Sequence, residues 1–334
     1  MNIKTKIIEP DQLSEAAEII KNGGLVVFPT ETVYGLGANA LNAAAVKKIY
    51  EAKGRPPDNP LIVHFADPAD IYRYADVPEI ASSIIKKFMP APLTLVLKKK
   101  NADLDAVCAL GTVAVRIPKN EIARKLIELA GVPIAAPSAN LSGKPSPTSA
   151  EHIIDDLYGK VDMIIRGEAC ELGLESTVIS FNGDDSVNIL RSGYITREML
   201  SEYRISGDAS ENSGPPRSPG VKYAHYAPDA PLCVLSGDDS AIIDFVKEKM
   251  QINNNTGFLC FDEMLSRFAG NKNIISIGAR DNLKEQAKNL FGALNKFNNL
   301  SVDIIYSVEP KKTELGEAIY NRLVKAAGGK IIKL

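Results

Sequence analysis

Residues 11 to 22 place Leu13, Ala16, Ala17, Ile19 and Ile20 on one side of a helix, Gly23 stands where a C-terminal cap is expected, and the apolar run LVVF at 25 to 28 predicts a buried strand. The alternation continues. Asn42 is placed to cap a second helix that carries Val46, Ile49 and Tyr50 as far as Gly54, and LIVHF at 61 to 65 reads as the next strand. Further strands are predicted at LTLVLK (93–98), TVAVRI (112–117), PIAA (133–136), DMII (162–165), STVISF within 175–181 and VNIL (187–190), most of them separated by helical patterns. NGDD joins the last two and has turn composition, so a hairpin interrupts any purely parallel order. The expected class is α/β, with a mixed twisted sheet and helices rather than a clean Rossmann domain.

Residues 205–231 hold enough Gly, Pro and Ser to stop regular structure, which predicts a first domain over 1–204, an ordered linker over 205–231 and a second domain over 232–334. A mere spacer gains nothing from rings, yet Tyr223, His225 and Tyr226 stand among the prolines. Beyond the linker, LCVL, TGFLCF, IISI and VDIIYS alternate with amphipathic helices near 240–250, 282–297 and 314–327, predicting a smaller Rossmann-like α/β domain.

Composition narrows the functional classes. The chain has 334 residues, 45% of them hydrophobic, enough for two cores without staples. With 39 basic and 41 acidic residues the formal net charge is -2, so any nucleic-acid affinity would have to be local. Cys108, Cys170, Cys233 and Cys260 are scattered, which points to buried thiols in a reducing cytosol and away from disulfide frameworks and zinc ribbons. Glu9, Asp11, Glu15 and Glu18 occupy positions where a signal peptide is apolar, and no run of about 18 apolar residues exists, so a soluble cytoplasmic protein is expected. With His64, His152 and His225 the whole histidine complement, a protein-built zinc centre is not expected, and a metal would be Mg²⁺ carried on phosphates.

No Walker loop or dinucleotide fingerprint occurs, but three polar segments follow apolar strands, where open α/β sheets place ligands. PTETVYGLGAN (29–39) supplies hydroxyls from Thr30, Thr32 and Tyr34, with Gly35 and Gly37 allowing close backbone approach. A hydroxyl-rich turn explains it as well. KGRPPDNPLIVH (53–64) holds Lys53 and Arg55 together in a proline-stiffened loop, a pairing suited to a polyphosphate, although Lys53 alone could simply complement a helix dipole. APSANLSGKPSPTS (136–149) presents Ser138, Asn140, Ser142 and Ser146, able to orient phosphate oxygens or merely to turn the chain.

Taken together, FPTETVYGLGANA, Lys53 and Arg55 in K-x-R, Asn59, His64, VRIP around Arg116, Ser138 and Asn140 in S-x-N, and ESTV at 175–178 closely resemble the YrdC-like domain of threonylcarbamoyl-AMP synthases. SPGVKYAHYAP (218–228) and LGEAIYNRL (315–323) resemble the linker and C-terminal domain of that family's two-domain form, with Val221 where Met is expected. The resemblance implies ATP-dependent joining of L-threonine and bicarbonate into threonylcarbamoyl adenylate, with pyrophosphate released and threonylcarbamoyl-transfer proteins acting downstream on tRNA. It implies catalytic roles for Lys53, Arg55, Ser138 and Asn140. ATP contacts fall to Arg55, Asn59, Thr112, Ser138, Ser146, Arg191, Tyr223, His225 and Tyr226, the last three as a flap that excludes water. Threonine contacts fall to Thr32, His64, Arg116, Ala136 and Thr177, with Arg116 taking the carboxylate. No protein side chain is expected to bind Mg²⁺.

Two other classes fit parts of the pattern. A binder of structured RNA could use a basic groove, although no familiar RNA-binding motif is present and stable nucleic-acid binding is not expected. A carbamoyltransferase of the hydrogenase-maturation type shares a YrdC-like domain but carries zinc-finger cysteines that this sequence lacks.

Overall fold

The computed structural model of the chain describes residues 3–208 and 225–334. Contacts divide it into two compact units, one of Met1–Ser142, Pro147–Glu171 and Glu175–Lys222, the other of Gly143–Ser146, Leu172–Leu174 and Tyr223–Leu334. Two short pieces within 1–204 therefore group with the second unit.

The first unit runs β1 (Lys6–Ile8), α1 (Leu13–Lys21), β2 (Val26–Phe28), β3 (Gly35–Asn39), α2 (Ala43–Lys53), β4 (Ile62–His64), α3 (Pro68–Tyr74), β5 (Ala75–Asp76), α4 (Glu79–Phe88), β6 (Leu93–Lys99) and β7 (Thr112–Arg116). It continues through α5 (Glu121–Ala130), β8 (Ile134–Ala135), α6 (Ala150–Leu157), β9 (Met163–Ile165), β10 (Thr177–Asn182), β11 (Ser186–Arg191) and β12 (Ile205–Asp208). The sheet has the order β1-β9-β2-β3-β8-β4-β7-β6-β10-β11-β12, with β5 on β6. It is mixed: β4 and β7 are parallel, β2 and β3 antiparallel, and NGDD closes the antiparallel β10–β11 hairpin. Asn42 caps α2 by accepting from the amides of Ala44 and Ala45, and Gly54 ends it at φ 60°.

Two segments fold otherwise than their composition suggests. Residues 35–39, read as part of a polar loop, form β3, because their glycines leave room for the Phe28 ring of β2. Residues 205–208 are strand rather than linker, since β12 pairs in parallel with β11.

Strand alternation gives the sheet two faces. Val27, Leu36, Val63, Leu95 and Val115 face α2, α3, α4 and α6 through Ile49, Ile71, Ile84 and Ile153. On the opposite face Val26, Phe28, Ile134 and Ala136 pack against Leu13, Ala16 and Ile20 of α1 and Leu126 and Ile127 of α5. Further along that second face, Ile62, Val96, Ala114 and Val178 form a separate apolar cluster to which no described helix contributes. This helix-free stretch across β4, β7, β6 and β10 positions the site.

The second unit runs β13 (Leu232–Ser236), α7 (Asp239–Ile252), β14 (Thr256–Cys260), β15 (Ile274–Ser276), α8 (Leu283–Asn298), β16 (Ile304–Val308), α9 (Leu315–Ala326) and β17 (Ile331–Lys333). Its five strands are all parallel, in the order β15-β14-β16-β13-β17. All four cysteines of the chain are free thiols. Among the described residues no helix is long and apolar enough to cross a membrane.

Candidate active site

The helix-free face carries a polar row beside its apolar cluster. His64 of β4 is the register partner of Arg116 of β7, and Val178 of β10 pairs with both Thr94 of β6 and Arg191 of β11. Continuing the β6–β7 register by one residue sets Arg116 opposite Thr94, so His64, Arg116, Thr94, Val178 and Arg191 share one line across five strands. Neighbouring strands lie about 4.8 Å apart, which separates the two arginine positions by roughly 14 Å, the span of a small extended ligand. Ala136 flanks the line and donates its N–H to Ile62 O at 2.9 Å.

Arg116 is 4% exposed, and its Nη2 donates to Oε1 of the equally hidden Glu31 at 2.7 Å. The other oxygen of Glu31 accepts from the Asn120 amide, just before α5, at a longer 3.4 Å. Among the described residues, Arg116 Nε and His64 Nδ1 are buried polar atoms with no hydrogen-bond partner. Buried donors and acceptors are nearly always satisfied, so two such atoms on register partners make this spot a candidate for a ligand. Burial, and then the Arg116 charge, push the His64 imidazole down to about 3, so at neutral pH it is uncharged.

The loop before β3 fixes this corner. Thr30 Oγ1 lies 2.9 Å from Thr32 Oγ1 and donates to Val33 O at 2.6 Å. Tyr34 anchors the loop from below, its hydroxyl donating to Gly167 O at 2.8 Å. Phe28 presents its ring edge-on to His64, with centroids 6.2 Å apart. The ring occupies the space that a side chain at residue 37 would need: a Cβ there would lie 2.7 Å from Phe28 Cε1. Thr30 and Glu31 also line a cleft of about 400 Å³ with Asn120 and Cys170.

Lys53, Arg55, Asn59, Ser138 and Asn140 come together beside this corner. Lys53 is buried at the end of α2, and its Nζ donates to Ser138 O at 2.5 Å and to Asn140 O. Ser142 N closes the brace by donating to Lys53 O. Burial first, and then Arg55, hold the Lys53 ammonium well below the usual lysine range, with Asp156 opposing. Arg55 donates from Nε to Asn59 O and from Nη2 to Pro60 O, stiffening the turn before β4. Thr112 begins β7 at the end away from Arg116.

Thr177 is not brought together with His64 and Arg116. It alternates with Val178 and so points to the opposite face, where its hydroxyl donates to Ile195 O and accepts from Ile195 N. Ser176 turns instead toward the polar row. Its hydroxyl bonds Thr94 Oγ1 at 2.7 Å and accepts from Arg191 Nη2 at 3.2 Å, while Arg191 Nε donates to Ser176 O.

Ser146, His225 and Tyr226 belong to the second unit, and Tyr223 lies outside the described residues. Tyr226 is not an exposed ring: it is buried against Phe291 of α8, with centroids 5.1 Å apart, and holds a left-handed φ of 70°. His225 packs on it at 5.4 Å. Ala227 N donates to Gly143 O, and Asn295 Nδ2 reaches Ser146 O at 3.3 Å.

Residues 18–193 match the family described as telomere recombination, and residues 195–328 match the C-terminal domain of threonylcarbamoyl-AMP synthase. The Bacillus subtilis threonylcarbamoyl-AMP synthase is 44% identical over 96% of this chain and 94% of its own length. The chain belongs to the threonylcarbamoyl-AMP synthase family. The Pyrococcus abyssi member is 43% identical over 100% of this chain and 99% of its own. Its crystal structure in complex with L-threonine matches with a TM-score of 0.87 at 41% identity and covers 100% of both chains. A doubly substituted form of the same protein matches with a TM-score of 0.88.

Of the residues gathered around this polar row, sequence reasoning passed over Glu31, Thr94 and Ser176. Glu31 sits inside PTETV as a single acid among hydroxyls, with nothing in the local pattern to tie it to an arginine 85 residues away. The signal for Ser176 was strand parity: once Val178 faces the apolar cluster, Ser176 shares its side and Thr177 does not.

Proposed function

We propose that this chain makes threonylcarbamoyl-AMP from L-threonine, bicarbonate and ATP and releases pyrophosphate, the first step toward threonylcarbamoyladenosine in tRNA. The observation that carries the reading is the pair of orphaned buried atoms, Arg116 Nε and His64 Nδ1, side by side on the helix-free face. Arg116 takes the threonine carboxylate, a planar anion matched to a guanidinium fork. Neutral His64 adds a directional contact without a second charge. Thr32, Ala136 and Ser176 complete the pocket, Ser176 in place of Thr177.

The threonine amine attacks the bicarbonate carbon and, with loss of water, becomes a carbamate. A carbamate oxygen then attacks the α-phosphorus of ATP, the new P–O bond forms, and the bond to the β-phosphate oxygen breaks with that oxygen leaving on pyrophosphate. No covalent enzyme intermediate is needed. Positioning and charge stabilisation do the catalysis. Lys53 and Arg55 spread the charge that gathers on the departing phosphates, and a polyphosphate beside Lys53 restores the protonated amine that burial disfavours. Asn59, Thr112, Ser138, Asn140, Ser146 and Arg191 hold the nucleotide. Mg²⁺ arrives on the ATP phosphates; among the described residues no group of three or more His, Cys, Asp or Glu side chains could hold a metal.

Catalysis belongs to residues 1–204, with 232–334 supporting the intervening segment. The product passes to threonylcarbamoyl-transfer proteins in the cytoplasm, without membrane contact or stable nucleic-acid binding by this chain. Omitting substrates one at a time tests the reading: pyrophosphate should appear only when threonine, bicarbonate and ATP are all present. Release that ignores threonine would overturn it.

A further inference from the structure

Arg116 is the single charged group in β7, and Glu31 is the carboxylate the structure sets against it. The pair is 2.7 Å apart with side chains 5% and 3% exposed, so neither solvent nor salt competes for it. Glu31 is itself held. The backbone amide that opens α5 reaches its second oxygen, and the Thr30 hydroxyl network fixes the residues on either side. The thiol of Cys170, pushed up to about 12 by burial and then by the Glu31 charge, stays neutral beside it. Every constraint on Glu31 thus passes to one guanidinium, through one of its five donors.

A buried guanidinium on a flexible stem has several ways to lie. A monodentate bond from Nη2 to a held carboxylate fixes its plane and leaves Nε, which has no partner among the described residues, for another acceptor. Preorganisation of this kind lowers the ordering cost that a ligand would otherwise bear.

We propose that Glu31 is a positioning residue for threonine recognition: its carboxylate, fixed between the Thr30 turn and the start of α5, sets the plane of the Arg116 guanidinium so that Nε meets the substrate carboxylate. The proposal rests on the assignment of Arg116 to the threonine carboxylate. Glu31 touches no substrate in this account and acts through Arg116 alone.

A double-mutant cycle on the full chain tests it, with threonine affinity measured by calorimetry and threonine KM, ATP KM and kcat measured at saturating bicarbonate. Glu31→Ala should weaken threonine binding by roughly ten- to a hundredfold, the scale of one charge-assisted contact, with ATP KM unchanged. Glu31→Gln keeps an oxygen acceptor for Nη2 at similar volume and should recover most of that loss. In an Arg116→Ala background, Glu31→Ala should cost nothing further in threonine affinity.

Each failure has its own signature. If Arg116→Ala leaves threonine affinity unchanged, the assignment of Arg116 is wrong. If Arg116→Ala weakens it but Glu31→Ala and Glu31→Gln do not, Glu31 does not position it. Equal additional losses from Glu31→Ala in both backgrounds would mean that Glu31 acts independently of Arg116. Should Glu31→Ala fail to fold because its arginine is left unbalanced, Glu31→Gln and the double variant, which removes both charges, still decide the matter. A Glu31→Gln protein that melts like the parent yet binds threonine as poorly as Arg116→Ala would overturn the hydrogen-bonding role.

Discussion

His64 and Arg116 are register partners on the parallel strands β4 and β7, and each keeps a buried nitrogen without a hydrogen-bond partner among the described residues. In a purely structural strand pair such atoms would cost on the order of 1–3 kcal/mol each. The pairing also keeps His64 uncharged, since protonation would set a second cation beside the guanidinium in a desolvated site.

That neutrality predicts an acid limb in the stability profile. At pH 7 His64 is neutral in the folded chain and mostly neutral in the unfolded one, so it contributes little. From about 6.5 down to about 3 the unfolded chain takes up a proton that the folded one refuses, so stability falls with falling pH. The slope from this residue approaches about 1.4 kcal/mol per pH unit. Urea melts from pH 7 to 4.5 should be steeper for the parent than for His64→Asn; parallel curves would mean that His64 titrates normally.

In the proposed reading Lys53 and Arg55 together hold the triphosphate. Lys53→Ala or Arg55→Ala should raise the ATP KM roughly ten- to a hundredfold, the value of one charge-assisted contact, with a smaller effect on threonine. Lys53 also braces Ser138 and Asn140 through their carbonyls, so its variant should loosen that loop as well. Hydrogen exchange at residues 138–142 would register the loosening, and pyrophosphate release at the parent's rate under subsaturating ATP would contradict the clamp.

Residues 176 and 177 should separate structure from recognition. Thr177→Val strands the Ile195 amide and carbonyl and should cost about 1–3 kcal/mol of stability while leaving the threonine KM near that of the parent. Ser176→Ala strands the Thr94 hydroxyl and one Arg191 donor, so it should cost stability on the same scale and, unlike Thr177→Val, also raise the threonine KM. Exchanged effects on the KM would mean that β10 presents its other face to the substrate.

Gly37→Ala places a methyl 2.7 Å from the Phe28 ring and 2.8 Å from Ile134. The ring must move, and it is the ring that abuts His64. A stability loss of about 1–3 kcal/mol is expected, as for overpacking elsewhere, together with weaker threonine binding. Calorimetry showing unaltered threonine affinity would free Phe28 of any role in shaping the pocket.

The strands with dense apolar runs, such as LTLVLK and TVAVRI, were legible because burial on both faces leaves them no alternative to hydrophobic side chains. GLGAN was not, since a strand made partly of glycine takes its packing from Phe28 of the neighbouring β2 rather than from its own residues. Pairing of β1 with β9 was equally hidden: their residues lie 157 apart, and only tertiary contacts join Lys6 to Met163. The cationic and hydroxyl loops were legible as candidates from composition alone, whereas the contacts of Glu31 with Arg116 and of Ser176 with Thr94 became visible only once register and strand face were known.

The product that leaves the site distinguishes this chemistry from its alternatives. The full chain, incubated with ATP, ¹⁴C-bicarbonate and ³H-threonine and resolved by chromatography with mass detection, should yield a single adenylate that carries both labels and forms in step with pyrophosphate. Arg116→Ala should yield little of it at the same threonine concentration. Pyrophosphate or AMP formed without a doubly labelled adenylate would contradict the account.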